Sequence, residues 1–148
     1  MNTHRYLRAY LAGIFLPTLI LPVFLVMFIV VRLGLQMPFP IERGLVFPMA
    51  LVPALWGIWN MLWVVSQPRI HQPIGLHGAI LPFLLLPAGA LVARCLGILE
   101  LGTYGVTWFH TINVPYALIA PCWLMALVGY YLIWKYVVGS FNHMLGIA

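Results

Sequence analysis

Four apolar runs, near positions 10–31, 45–65, 77–99 and 114–138, leave this chain few ways to fold. Each is long enough to cross about 30 Å of hydrocarbon, which takes about 20 helical residues. None alternates apolar and polar residues as a lipid-facing strand would. A helix pairs its own backbone N–H and C=O groups, so it is the form such runs take where water is absent. Composition argues against a water-soluble globule: 6% of the 148 residues are charged and 64% are hydrophobic, against about 25% charged in a soluble domain. The expectation is one all-α integral membrane domain over 1–148, with four transmembrane helices.

The runs are related in pairs. "GIFLPTLILP" at 13–22 returns as "GAILPFLLLP" at 78–87. Behind it, "VVR" at 30–32 matches "VAR" at 92–94, and "IERG" at 41–44 matches "LELG" at 99–102. "PMALVPALWG" at 48–57 resembles "PYALIAPCWLMALVG" at 115–129, and "MLWVV" at 61–65 resembles "LIWKYVV" at 132–138. The only two acidic residues, Glu42 and Glu100, fall at corresponding places. This order predicts a duplicated two-helix hairpin, repeat one over about 10–66 and repeat two over about 77–138. Two spans per unit make both copies enter from the same side, a parallel repeat about the membrane normal.

The net charge of +5 comes from seven Lys+Arg against two Asp+Glu. The cations flank the apolar runs, as membrane proteins anchor to headgroups. They form no basic stripe, so no nucleic-acid partner is expected. With the N-terminus cytoplasmic, that side holds Arg5, Arg8, Arg69 and Lys135, and the other holds Arg32, Arg43 and Arg94. The bias places both termini inside. The first run outlasts a signal-peptide core and no A-x-A site follows, so it is expected to be retained. The absence of sorting signals points to a bacterial inner membrane.

Three residue sets are candidates for a role. Arg32, Glu42, Arg94 and Glu100 lie at the outer boundary. Their placement predicts clasps between repeats, Arg94 with Glu42 and Arg32 with Glu100, or a charged vestibule. Pro17, Pro22, Pro82 and Pro87 lie inside helices, where each removes a backbone hydrogen bond and frees the carbonyl four residues back; they are kink or hinge candidates. Trp56, Trp59 and Trp63 share one helix face at i, i+3 and i+7, and Tyr130 and Trp134 repeat the pattern at i, i+4. They suit an interfacial aromatic belt or a wall for a lipid or quinone. The Asn60 amide is expected to bond across helices.

Other features carry less. The histidines, His71 and His77 among them, lie at run ends or in loops and suit headgroup contact; no metal or haem site is expected. Cys95 and Cys122, without ligand spacing, are expected as buried thiols. The segment "ELGTYGVTWFHTIN" at 100–113 departs most from the repeat and suits an interfacial patch. No catalytic constellation is visible, and no cofactor is expected beyond bound lipid or quinone. The sequence therefore points first to a non-catalytic subunit or scaffold packing against membrane lipids and other membrane subunits. The alternative is a homo-oligomeric small-solute or ion channel, and a lipid- or quinone-modifying enzyme comes third.

Overall fold

The structure, a computed structural model, describes residues 3–36, 40 and 42–147. In the first joint, Met37, Pro38, Phe39 and Ile41 lie outside the described residues, so the "IERG" correspondence is only partly covered. The fold is mostly helical. Helix α1 (Thr3–Ile29) continues into a π-helical turn, Val30–Gly34. A second π-helical turn, Glu42–Val46, leads into α2 (Phe47–Ser66). Helix α3 spans Ile74–Cys95. Helix α4 (Tyr116–Leu132) passes through a third π-helical turn, Ile133–Val138, into α5 (Gly139–Met144). Four helical stretches are long and apolar enough to cross a membrane: His4–Gly34, Phe47–Ser66, Ile74–Cys95 and Tyr116–Met144.

The all-α expectation needs one correction. Between α3 and α4 lies a three-stranded antiparallel meander, β1 (Leu99–Leu101), β2 (Gly105–Trp108) and β3 (Ile112–Pro115). Glu100 faces Thr107 across the first pair, and Val106 faces Val114 across the second. Val106 buries against Ala93, Ile98 and Leu99, so the segment expected as an interfacial patch has a small core of its own. The β2–β3 turn places Phe109 and His110 at φ 53° and 59°, closed by the Thr111 N–H on the Trp108 carbonyl at 3.1 Å. Tyr116 ties the sheet to α4 by donating its hydroxyl to the Gly102 carbonyl at 2.9 Å.

Within each hairpin the helices pack directly, α1 on α2, and α3 on α4 and its π-helical extension. Small residues set the α1–α2 approach. Ala9, Ala12 and Gly13 are buried, and a Cβ at Gly13 would fall 2.6 Å from the Trp56 carbonyl oxygen and 2.9 Å from the Gly57 Cα. Such close contact between helices is what small residues permit. In the second hairpin the matching Gly78 lies under Trp134, whose ring base a Cβ would strike.

The hairpins meet at the end that carries the α2–α3 turn, the start of α1 and the end of α5. There α1 touches α5 and Ile133–Val138, and α2 touches α3. Asn60 and Asn142 sit at this joint with no exposure. The Asn60 amide donates to the Ala9 carbonyl at 2.7 Å and to Asn142 Oδ1 at 2.8 Å. Asn142 Nδ2 returns a bond to Asn60 Oδ1 at 3.0 Å. The cross-helix bond expected of Asn60 is therefore present, with a partner in α5 that the sequence did not indicate. Arg5 and Arg8 donate to the carbonyls of Ile147 and Leu145 at 3.2 and 3.3 Å. These capture carbonyls left open at the end of α5, a role basic side chains serve at helix C-termini.

Candidate aromatic–histidine site

The site grows from the spacing of aromatics on α2 and α4. Trp56 and Trp59 share the α2 face that meets the second hairpin, and Tyr130 and Trp134 come from the helix opposite. The rings of Trp56 and Trp134 lie 5.4 Å apart, and those of Trp56 and Tyr130 5.3 Å apart. Trp56 and Trp134 belong to one buried cluster with Leu81 and Val138. These four aromatics converge between hairpins instead of forming an outward belt. Trp63 departs from the set: it packs with Ala9, Val64 and Ile147 and donates its indole N–H to the Gln72 carbonyl at 3.0 Å.

His77 is the member that sequence reasoning missed. It was expected at the headgroups, yet it is 7% exposed and stacked on Trp59, centroids 4.7 Å apart and planes 23° from parallel. The two residues exchange bonds. Trp59 Nε1 donates to the His77 carbonyl at 2.9 Å, and His77 Nε2 meets the Trp59 carbonyl at 2.9 Å. A carbonyl only accepts, so Nε2 carries the proton here. The available signal was helical phase: His77 stands one residue before Gly78, which faces Trp134. His71, by contrast, is exposed.

Two polar atoms of the cluster are not matched. The indole N–H groups of Trp56 and Trp134 are buried with no hydrogen-bond partner among the described residues. Leaving a buried donor unpaired costs about 1–3 kcal/mol, offset here by the apolar area the large rings bury.

Beside the Trp59–His77 pair a groove of about 460 Å³ opens where α2 turns into α3. Leu62 and Ile80 form its apolar walls, and Ser66, Arg69 and Gln72 its polar rim. The turn is held by the Gln72 carbonyl, which receives both Trp63 Nε1 and Gln67 Nε2, the latter at 2.7 Å.

The other candidates fall elsewhere. Among the described residues no ion pair joins Arg94 to Glu42, and Glu100 takes His110 as its partner, Nδ1 to Oε1 at 3.0 Å. The antiparallel pairing of β1 with β2 brings the turn that carries His110 beside Glu100. Arg94 is exposed and Arg32 half-buried. Glu42 Oε2 is buried without a partner among the described residues. Helices α1 and α3 run on through their prolines. Pro17 and Pro82 are buried while Pro22 and Pro87 are exposed, so the matched pairs have matched surroundings. Cys95 and Cys122 are free thiols on exposed helix surfaces, a correction to the buried placement expected of them.

Chemically, the cluster offers aromatic faces and one imidazole, whose Nε2 is held by the Trp59 carbonyl. Among the described residues no group of three His, Cys, Asp or Glu side chains could hold a metal ion. His77 has no nucleophile or carboxylate among its bonded partners. Comparison with protein-family profiles, with curated proteins and with solved structures finds no match to this chain.

Proposed function

We propose that this chain is an integral membrane protein of four spans that acts as a non-catalytic subunit or scaffold, packing against partner membrane proteins. One observation carries this reading: the three polar residues buried among the described residues, Asn60, His77 and Asn142, have side chains bonded to other groups of the same chain. A transport path must be wet, and these polar groups are committed to holding helices together. The outer surface supports the same reading. Helix α4 has no buried residue, and Leu118, Leu124, Met125 and Val128 all point outward. That lateral face suits lipid or a neighbouring helix.

The duplicated hairpin belongs to the same proposal. It is supported by the equal environments of Pro17 and Pro82 and by close packing at both Gly13 and Gly78. The setting we infer is a bacterial inner membrane with both termini cytoplasmic; the two termini lying at one end of the fold accords with this. Affinity purification of the full chain from native membranes, followed by mass spectrometry, tests the scaffold reading. A stoichiometric membrane partner is the expected result. Recovery of a defined homo-oligomer that passes solute in liposomes, at a rate changed by Pro87→Ala, would establish the channel reading instead, which rests on the repeated prolines.

A further inference from the structure

The groove at the α2–α3 turn combines apolar and polar lining. Its walls, Leu62 and Ile80, are apolar and its rim carries Arg69 and Gln72, whose side chains have no hydrogen-bond partner among the described residues. Its floor is the Trp59–His77 pair, fixed by two reciprocal bonds and a ring stack. The volume, about 460 Å³, falls within the 300–1,000 Å³ typical of small-molecule sites.

Charge then selects the occupant. Both acidic side chains of the protein, Glu42 and Glu100, lie at the opposite end of the helices, about 30 Å away at 1.5 Å per residue. The groove end carries Arg5, Arg8, Arg69 and Lys135 and no acidic side chain. A ligand that fits must bear negative charge at the Arg69 rim and apolar substance along Leu62 and Ile80. We propose that this groove is a binding site for an anionic phospholipid, with its phosphate on Arg69 and an acyl chain along the α2–α3 wall. The proposal draws on the membrane reading only for where the lipid comes from.

The test uses the full-length protein reconstituted in vesicles of phosphatidylcholine containing phosphatidylglycerol, then released for native mass spectrometry. The wild type is expected to retain phosphatidylglycerol over phosphatidylcholine. Arg69→Gln should lower that retention about fivefold, the worth of one interfacial cation, and Arg69→Lys should restore part of it. Ile80→Trp, which fills the groove and leaves the charge, should lower it equally. Arg43→Gln, an exposed arginine at the other end, should leave it unchanged. Equal loss in Arg43→Gln, or none in both Arg69→Gln and Ile80→Trp, would overturn the site. Displacement of the lipid by inorganic phosphate alone would overturn the phospholipid in favour of a small soluble anion. Carbonate washing of native membranes reports separately on membrane insertion: a chain stripped off by carbonate refutes the membrane reading whatever the lipid result.

Discussion

The two hairpins start from nearly the same ten residues and use them differently. In the first, Gly13 lets α1 come down on the backbone of α2 at Trp56 and Gly57. In the second, Gly78 makes room for the side chain of Trp134. A glycine against backbone and a glycine against an indole are both close contacts, but only the second has a neighbour that mutation can remove. The outer connections differ as well: two π-helical turns frame the first, and a three-stranded sheet forms the second. A shared sequence phrase therefore fixes where helices approach, while the partner residue and the connecting segment decide how.

The sharpest way to break this comparison is to add one methyl group. Gly13→Ala should cost about 3 kcal/mol, the upper part of the range for overpacking, read as a lowered Tm in detergent. No single second-site truncation should rescue it, because its obstacle is main chain. Gly78→Ala should cost about as much, yet combined with Trp134→Ala it should lose clearly less than the sum, since the methyl then enters the space the indole vacates. Equal additivity in both hairpins would show that the contrast has no energetic content.

The joint between hairpins comes next. Asn60→Ala should cost about 2 kcal/mol by stranding the Asn142 amide and the Ala9 carbonyl. Asn142→Ala should cost less, because Asn60 keeps its bond to Ala9. The double substitution should fall short of additive, and additive losses in thermal unfolding would mean the two amides act independently. A gain is expected in the sheet. Phe109 and His110 adopt a left-handed backbone that costs about 1–2 kcal/mol per L-residue. Phe109→Asn with His110→Gly should therefore raise Tm, provided the packing that Phe109 gives up is small. The smallest effect belongs to Glu100→Gln. Its pair with His110 is exposed on both sides, 60% and 65%, and such pairs contribute about 0.2–1 kcal/mol.

The long elements were legible because apolar runs of about 20 residues have few alternatives. Hydropathy located all four membrane-length stretches, and the Asn60 amide, a lone polar group on an apolar face, declared its need for a cross-helix partner. Its partner did not declare itself: Asn142 follows the point where the last apolar run fades, and only the continuation of the helix through Ile133–Val138 into α5 brings it inward. The strands escaped for a different reason. At three or four residues each they are shorter than any window that detects a span, and their signal is pairing between segments, which a linear reading does not register. The Arg–Glu clasps were expected from matching positions in the sequence, and those positions lie at helix ends and in connecting segments, where hydropathy says least about contacts. His77 was assigned by its place at the edge of a run; its burial depends on Trp59, eighteen positions earlier, presenting a flat ring and a carbonyl within reach of Nε2.

The bonds from Arg5 and Arg8 to the carbonyls of Ile147 and Leu145 impose an order of events. Helix α1 leaves the ribosome well before α5, the helix whose end it receives. During that interval the first hairpin can pack along its glycines, but Asn60 has only Ala9 to hold. The amide pair can close only once α5 arrives, so a chain cut short before Gly139 would keep the Trp59–His77 bonds between the hairpins and lose those of Asn142, Leu145 and Ile147.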